Sequence, residues 1–226
     1  MNKSYLYLMT TFMLWGSLYV VSQFVLGKIP TFTVAMFRYL IAFIALSFIS
    51  LKSKKEKIEK SDYKYFFVMG FIGYFISVDC QLLGTKIAGG SMASLINSLN
   101  PIIISVMAMI ILNEKLEINK IIGIILSLFG VYMIIGTGAN IKFIGVLISF
   151  IAVIGWAFMS VISRKISNKY SALTLTKVSM LIATVCNIPV SFLEIQITHP
   201  LIQIDIGAIL GILYMGIVCI AFTNIL

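Results

Sequence analysis

The sequence predicts an all-α integral membrane protein, and three observations support this prediction. The 226 residues are 60% hydrophobic and only 11% charged, with a mean hydropathy of +1.07. A soluble domain is about 45–50% apolar and about 25% charged. The apolar stretches are continuous and reach the roughly 20 residues that a helix needs to cross a bilayer. They do not alternate at period two, as the strands of a membrane β-barrel do.

Eight stretches are predicted to be transmembrane helices. The first is long enough to span, and no small-residue cleavage site follows it, so it is not predicted to be a cleaved signal peptide. Polar or charged segments separate the others, such as the basic loop KSKKEKIEK after the second and NEKLE after the fourth. In chain order the predicted helices are Tyr5–Leu26, Thr31–Leu51, Tyr63–Leu83, Ala88–Leu112, Lys120–Gly136, Ile141–Ser163, Leu173–Phe192 and Ile206–Leu226.

The distribution of lysine and arginine predicts that the N-terminus is cytoplasmic. With that orientation the loops at 52–64, 115–120 and 164–169 all face inward, and only Lys28, Lys86 and Lys142 face outward. An excess of basic residues in the short cytoplasmic loops is typical of membrane proteins. The net charge of +9 is therefore attributed to membrane topology, and no nucleic-acid partner is predicted.

The sequence contains a weak internal repeat. LWGSLYVVSQ aligns with GWAFMSVISR when Trp15 is matched to Trp156, and the same shift sets VMGFIGYF on ILGILYMG. This predicts a first repeat over residues 5–136 and a second, incomplete one over residues 141–226. A repeat of five helices is odd in number, so the second copy enters the membrane upside down. Inverted repeats of this kind are typical of secondary transporters, whose substrate site lies near the membrane midplane.

The stretch LWGSLYVVSQFVLGKIPTFTVAMFRYLIAF resembles the opening of the EamA domain of the drug/metabolite transporter (DMT) superfamily. The matching features are the Trp15-Gly16 pair, Pro30 in the first loop and Arg38 early in the second helix. LLGTKIAGGSMASLINSLNPIIISVMAMIILNEKL, from Leu82 to Leu116, is similar to the second signature of that domain.

The resemblance implies ten helices in two inverted repeats. It also implies a secondary transporter that exports amino acids, other small metabolites or drugs across the bacterial inner membrane. Against that pattern the sequence stops at Leu226, inside the eighth helix, so the second repeat is expected to be truncated and the chain to be a partial sequence. The alternative is a non-transporting membrane subunit or an inactive remnant.

The segment NSLNP is a candidate part of the substrate path. Asn100 lies roughly 18 Å along its predicted helix, near mid-membrane, at about 1.5 Å per residue. Pro101 lacks an N–H and frees the carbonyl of Asn97, and irregular backbone at this depth is tolerated only against protein or a watery cavity. Asn97 and Asn100 share one helix face. The segment is interpreted either as a kinked wall of the substrate cavity or as a kink that serves packing.

Charged and aromatic residues inside the spans are further candidates. Arg38 is interpreted as a counter-charge for an anionic substrate or as a gate, with a structural pair to Asp79 as the alternative. Asp79 and Lys177 are candidate charge or coupling residues, although Lys177 can snorkel to the interface. Trp15 and Trp156 lie deeper than the interfacial belt, so they line the cavity or pack between the repeats.

Other classes of site are not supported by the sequence. It has no GxxxxGK[ST] or GxGxxG motif, and the spans have no catalytic constellation, so neither a nucleotide-driven pump nor an enzyme is predicted. Cys80, Cys186, Cys219 and His199 lack metal-ligand spacing. We predict no cofactor and no metal, with a small-molecule substrate and the lipid bilayer as partners. The oligomeric state, a homo-oligomer included, is left open.

Overall fold

The computed structural model describes residues 3–51, 56–114 and 142–223, together with isolated positions between 118 and 129. All regular secondary structure in these residues is helical. Six helices are long and apolar enough to cross a membrane, and a seventh apolar helix is shorter. We number them α1 (Lys3–Leu26), α2 (Thr31–Ser50), α3 (Lys60–Ala88), α4 (Gly90–Leu112), α5 (Phe143–Ile166), α6 (Ala172–Thr198) and α7 (Ile206–Phe222).

These helices confirm the predicted all-α membrane class. The predicted helix Lys120–Gly136 lies outside the described residues for most of its length. The total of eight spans and the inverted repeat therefore stay predictions.

Helix α3 extends further than the sequence indicated, because it continues past Leu83 to Ala88. A Cβ at Gly84, just beyond the predicted end, would lie 3.2 Å from the backbone carbonyl oxygen of Gly145. This close approach packs the end of α3 against α5. The break comes at Gly89, whose φ of +88° suits glycine.

Two of the described helices contain π-helical turns. In α3 these are Met69–Ile76, between a helical first segment and the α-helix Ser77–Ala88. In α7 they are Tyr214–Phe222. The predicted repeat aligns these two helices with each other. A π-helical turn widens the helix and redirects its side chains, and such turns are frequent at functional sites.

The described helices pack most closely as two pairs, α2 with α6 and α3 with α5. Small residues permit further close crossings between the pairs: a Cβ at Gly70 would lie 2.6 Å from the Cβ of Ile182 in α6. Large apolar side chains cover much of the outer surface, for example Val20, Phe48 and Ile197, which are mostly exposed. A membrane provides the apolar environment that such a surface requires.

The start of α2 is held by α6. The carboxylate of Glu194 accepts hydrogen bonds from the backbone N–H groups of Thr31 (2.8 Å) and Phe32 (2.9 Å). These N–H groups have no partner within their own helix, and the positive end of the helix dipole attracts a carboxylate. This contact fixes the position of α2 and therefore of Arg38.

Candidate functional site

A cavity of about 80 Å³ lies between α1, α2, α3, α4, α5 and α7. This volume is enough for a few ordered water molecules or one small polar group, since about 10–15 Å³ holds a single water. Its wall mixes aromatic rings with polar groups. The lining residues are Trp15, Leu18, Tyr19, Arg38, Tyr39, Tyr74, Ser77, Val78, Gln81, Asn97, Asn100, Ala152, Trp156, Cys219 and Ile220.

The structure brings most of the predicted path residues to this one cavity. Trp15, Arg38, Asn97, Asn100 and Trp156 come from four helices and all contribute to its wall.

Pro101 does not line the cavity, because it lies on the exposed side of α4. It occupies the first turn of the segment Asn100–Leu112, where the missing N–H of a proline costs little. Its prediction as the residue that kinks the wall of the substrate path stays a prediction, and in the structure it starts that helical segment.

Arg38 is the main charge of the cavity and is almost fully buried, with 3% of the residue exposed. Its Nη2 donates to the hydroxyl oxygen of Tyr39 at 3.3 Å, and the guanidinium lies 5.1 Å from the centre of the same ring. Its Nε and Nη1 groups have no hydrogen-bond partner in the described part of the chain. A buried donor without a partner is costly, so this guanidinium is ready to bind an acceptor that enters the cavity.

Four aromatic rings form a continuous chain along the wall. Tyr39 and Tyr74 meet edge to face at 5.8 Å between ring centres, Tyr74 and Trp156 at 5.7 Å, and Trp156 and Trp15 at 6.1 Å. The Tyr39 hydroxyl donates to the backbone carbonyl of Tyr74 at 3.0 Å, within the π-helical turns of α3. Edge-to-face contacts fix the orientation of each ring relative to the next. The two tryptophans that the repeat alignment matched are therefore in direct contact.

The two asparagines of NSLNP form a pair at a break in α4. The helix is interrupted between Asn97 and Asn100, and the Asn100 Nδ2 donates to the Asn97 Oδ1 at 2.6 Å. The Oδ1 of Asn100 is buried and has no partner among the described residues. The pair thus presents an unpartnered acceptor, whereas Arg38 presents unpartnered donors. A ligand with both an acidic and a donor group suits this combination.

The two candidate coupling residues lie outside the cavity wall. Lys177 donates to the hydroxyl of Ser50 at 3.0 Å, which gives it a structural contact between the ends of α6 and α2. Asp79 is buried behind the wall, with 4% of the residue exposed. No ion pair within 4.0 Å joins Asp79 to Arg38 in the described residues, so the structural pair considered from the sequence is not formed.

Sequence reasoning missed several polar members of the wall. Gln81 donates to the hydroxyl of Tyr19 at 2.6 Å, and both side chains line the cavity. Gln81 could have been found from the sequence, because it is a polar residue within an apolar span. The tyrosines carried no comparable signal, because tyrosine is also common at membrane interfaces.

A second cavity, of about 460 Å³, lies on the other side of the aromatic chain. Trp15, Tyr74 and Trp156 line both cavities. The second one is otherwise bordered by apolar side chains such as Met159 and by hydroxyl side chains near the loop that joins α5 to α6, such as Ser163 and Ser167. The three shared rings therefore form the partition between the two spaces.

Charged groups at the helix ends make ordinary ion pairs. The hydrogen bond from Lys28 lowers the pKa of Asp205, which also accepts from the backbone N–H of Ala208 at 2.7 Å. Lys169 donates to the carboxylate of Asp62 at 3.0 Å, and this bond raises the pKa of Lys169. Within the described residues, no group of three or more histidine, cysteine, aspartate or glutamate side chains is arranged to hold a metal ion.

Comparison with known proteins identifies one family. A profile of the EamA-like transporter family matches residues 2–136 and 143–226. The chain is 28% identical over 187 residues to the uncharacterized transporter YetK of Bacillus subtilis (strain 168), an alignment that covers 79% of this chain and 57% of that protein. It is 24% identical over 215 residues to an uncharacterized transporter of Archaeoglobus fulgidus, with coverages of 95% and 75%.

A third relative is an uncharacterized transporter of Clostridium kluyveri, which is 26% identical over 230 residues, with 96% of this chain and 73% of that protein covered. The chain thus spans between a little over half and three quarters of the length of these three relatives.

Proposed function

The chain belongs to the EamA-like transporter family, and on that premise we propose that it is a secondary transporter for small metabolites or drugs. It works by alternating access in the bacterial inner membrane, with its N-terminus in the cytoplasm, and exports its substrate. The substrates are amino acids or related compounds that carry a polar or acidic group. The segments at 5–136 and 141–226 act as two inverted repeats that enclose the path. That the family profile matches two successive segments supports this arrangement.

The observation that carries the proposal is the buried guanidinium of Arg38 at the wall of an aromatic cavity. Its two unpartnered donor groups reduce the stability of the fold unless a ligand engages them. Such donors form their strongest hydrogen bonds with a carboxylate, because both groups are charged. The neighbouring tryptophan and tyrosine rings provide apolar surface for the remainder of a small organic molecule.

The partition between the two cavities supports alternating access. Trp15, Tyr74 and Trp156 separate the small cavity from the larger hydroxyl-lined space. Tyr74 lies in the π-helical turns of α3, where a change in helix winding would move the ring. We assign these three residues to the gate of the path.

The test is transport by the full-length protein in proteoliposomes, using a panel of radiolabelled amino acids and related carboxylates. Arg38→Ala and Asn100→Ala are expected to lower the transport rate or change the specificity for the compound that is transported. Ser98→Ala is the matched control for Asn100, because Ser98 is exposed in the same helix and its hydroxyl donates to the backbone carbonyl of Leu95. Unchanged rate and specificity in both cavity variants would refute the site. Absence of transport by the wild-type protein for every compound would favour a non-transporting membrane subunit.

A further inference from the structure

Asp79 is a second buried charge next to the cavity, and the proposed path does not use it. It lies in the α-helical part of α3 between Val78 and Gln81, both of which line the cavity. Neither carboxyl oxygen has a hydrogen-bond partner among the described residues. The side-chain amide of Asn187 interacts with the carboxyl group, and its Nδ2, which carries two hydrogens, also donates to the backbone carbonyl of Ala183 at 3.1 Å.

The charged and titratable groups that face Asp79 come from three elements. Helix α2 brings the guanidinium of Arg38 and the phenol of Tyr39, and α6 brings the carboxyl group of Glu194 and the thiol of Cys186. Its own helix adds the thiol of Cys80. Arg38 is thus the one cation that acts on this carboxyl group within the described structure, and Glu194 opposes it.

This arrangement is incomplete as a purely structural ion pair. A buried carboxylate without hydrogen bonds is costly, and a buried ion pair is stable only if its geometry is good and its remaining groups are bonded. Among the described residues Asp79 has the Asn187 amide beside it but no hydrogen bond within 3.5 Å, and Arg38 retains two unpartnered donors. Binding of a proton removes the charge of Asp79 and leaves the full positive charge of Arg38 directed at the cavity.

We propose that Asp79 is the binding site for a coupling proton and that its protonation makes Arg38 available to an anionic group of the substrate. With Asp79 ionised, its negative charge neutralises Arg38 and opposes entry of an anion. With Asp79 protonated, an anion in the cavity accepts hydrogen bonds from the Nε and Nη1 groups of Arg38. Proton and anion therefore bind cooperatively and cross the membrane together. This inference rests on the proposed transport function and specifies its ligands as a proton and a carboxylate or similar anion.

The direction of transport then follows from the sum of two gradients. A high internal concentration of the acid drives export and carries a proton outward with each monoanion. The cycle moves no net charge for a monoanion, so its rate depends on the pH difference and on the acid gradient.

Proton binding is testable by the intrinsic fluorescence of the purified full-length protein. Trp15 and Trp156 are the two tryptophans of the sequence and both line the cavity with Arg38. We expect wild-type emission to show one reversible step between about pH 5 and about pH 9. Asp79→Asn should abolish that step and Asp79→Glu should retain it at a shifted midpoint. Asp205→Asn, a carboxyl group at a helix end, should leave it unchanged.

Anion coupling is tested with acetate as the probe and acetamide as its neutral control. Acetate should change the emission of the wild-type protein more strongly at about pH 6 than at about pH 8, with apparent affinities that differ by roughly 5- to 150-fold, the usual range of coupling between two ligands. The Asp79→Asn variant should bind acetate with one affinity at both pH values. Acetamide should show no such dependence.

Each outcome decides the proposal. A wild-type protein without a step, a step that persists in Asp79→Asn, or acetate binding that is independent of pH in the wild type would overturn it. Thermal melting of each variant identifies loss of fold, and Asp79→Glu supplies a second, charged variant if Asp79→Asn does not fold.

The transport panel separates this inference from the proposed function. Transport of a compound without accompanying proton movement, followed with a pH-sensitive dye inside the vesicles, would refute the coupling and leave the transporter assignment intact. Absence of all transport, together with a fluorescence step that Asp79→Asn removes, would refute the transporter assignment and leave the proton site intact.

Discussion

Arg38→Met should stabilise the protein and at the same time remove its transport activity. Methionine has a similar length and keeps apolar contact with Tyr39, but it lacks the guanidinium. A residue kept for the fold would show the opposite pattern, with loss of stability and little direct effect on transport. Natural proteins commonly give up stability at functional sites for groups that activity requires.

The magnitude follows from the hydrogen bonds of Arg38. Two buried donor groups lack partners in the described structure, at about 1–3 kcal/mol each. Against this, the variant loses the bond from Nη2 to Tyr39, and a bond from a charged donor contributes about 1.5–3 kcal/mol. The midpoints of these ranges, about 4 and about 2 kcal/mol, leave a net gain of about 2 kcal/mol, equivalent to roughly 4–8 °C in melting temperature for a chain of this size.

The assay is thermal unfolding in detergent micelles followed by tryptophan fluorescence, combined with transport in proteoliposomes. Arg164→Met is the matched control, because the Arg164 side chain is 55% exposed and its pair with Glu114 at 3.5 Å is on the surface. That control should change neither property. The Arg38→Met melt is repeated in an Asp79→Asn background, which removes any effect of leaving Asp79 without its neighbouring cation. A fall in melting temperature with transport retained would refute the reasoning.

Three further predictions concern packing, helix capping and pH. Gly216→Ala should lower the unfolding free energy by about 1–3 kcal/mol, because a Cβ there would lie 2.9 Å from a backbone carbonyl oxygen of α2. Gly16→Ala is the control, because a Cβ added there meets no described atom within 4 Å, and this variant should keep the stability of the wild type. Equal melting temperatures for Gly216→Ala and Gly16→Ala would contradict the prediction. Glu194→Ala should cost about 0.5–2 kcal/mol by removing the acceptor for the first N–H groups of α2, and Glu194→Gln should cost less. The contribution of Asp205, whose pKa is lowered by its lysine partner, should be fully present above about pH 4 and decline as the pH falls further. Melting curves of wild type and Asp205→Asn should therefore converge at low pH, and a constant difference would contradict the assignment.

Much of the site could be predicted from the sequence because polar residues are rare in apolar spans. Arg38, Asn97 and Asn100 are conspicuous there, and a buried polar group in a membrane needs a partner or a cavity. The tryptophans were found by the repeat alignment. Their convergence on one cavity, with Trp15 and Trp156 in contact, was compatible with the sequence but did not follow from it.

Other features depended on contacts between segments that are distant in sequence. Tyr19 and Gln81 line the cavity because α1 and α3 cross there, and the end of α3 beyond Leu83 packs closely against α5. The Arg38–Asp79 pair, considered from the sequence as an alternative role for Arg38, is absent from the described residues for the same reason. Depth along a helix is readable from residue count, but the rotation that sets the separation of two side chains is decided by packing.

The sequence by itself determined the membrane class, the approximate limits of most helices and the polar residues that require an explanation. These properties follow from local composition, because an apolar run of spanning length is stable as a helix in lipid whatever its neighbours. Only the tertiary structure decided which side chains share the cavity, that Pro101 faces away from it, and that Asp79 and Arg38 are both buried without forming a pair. Those outcomes depend on helix rotation and crossing, which result from the fit of whole surfaces and are not encoded in any single segment.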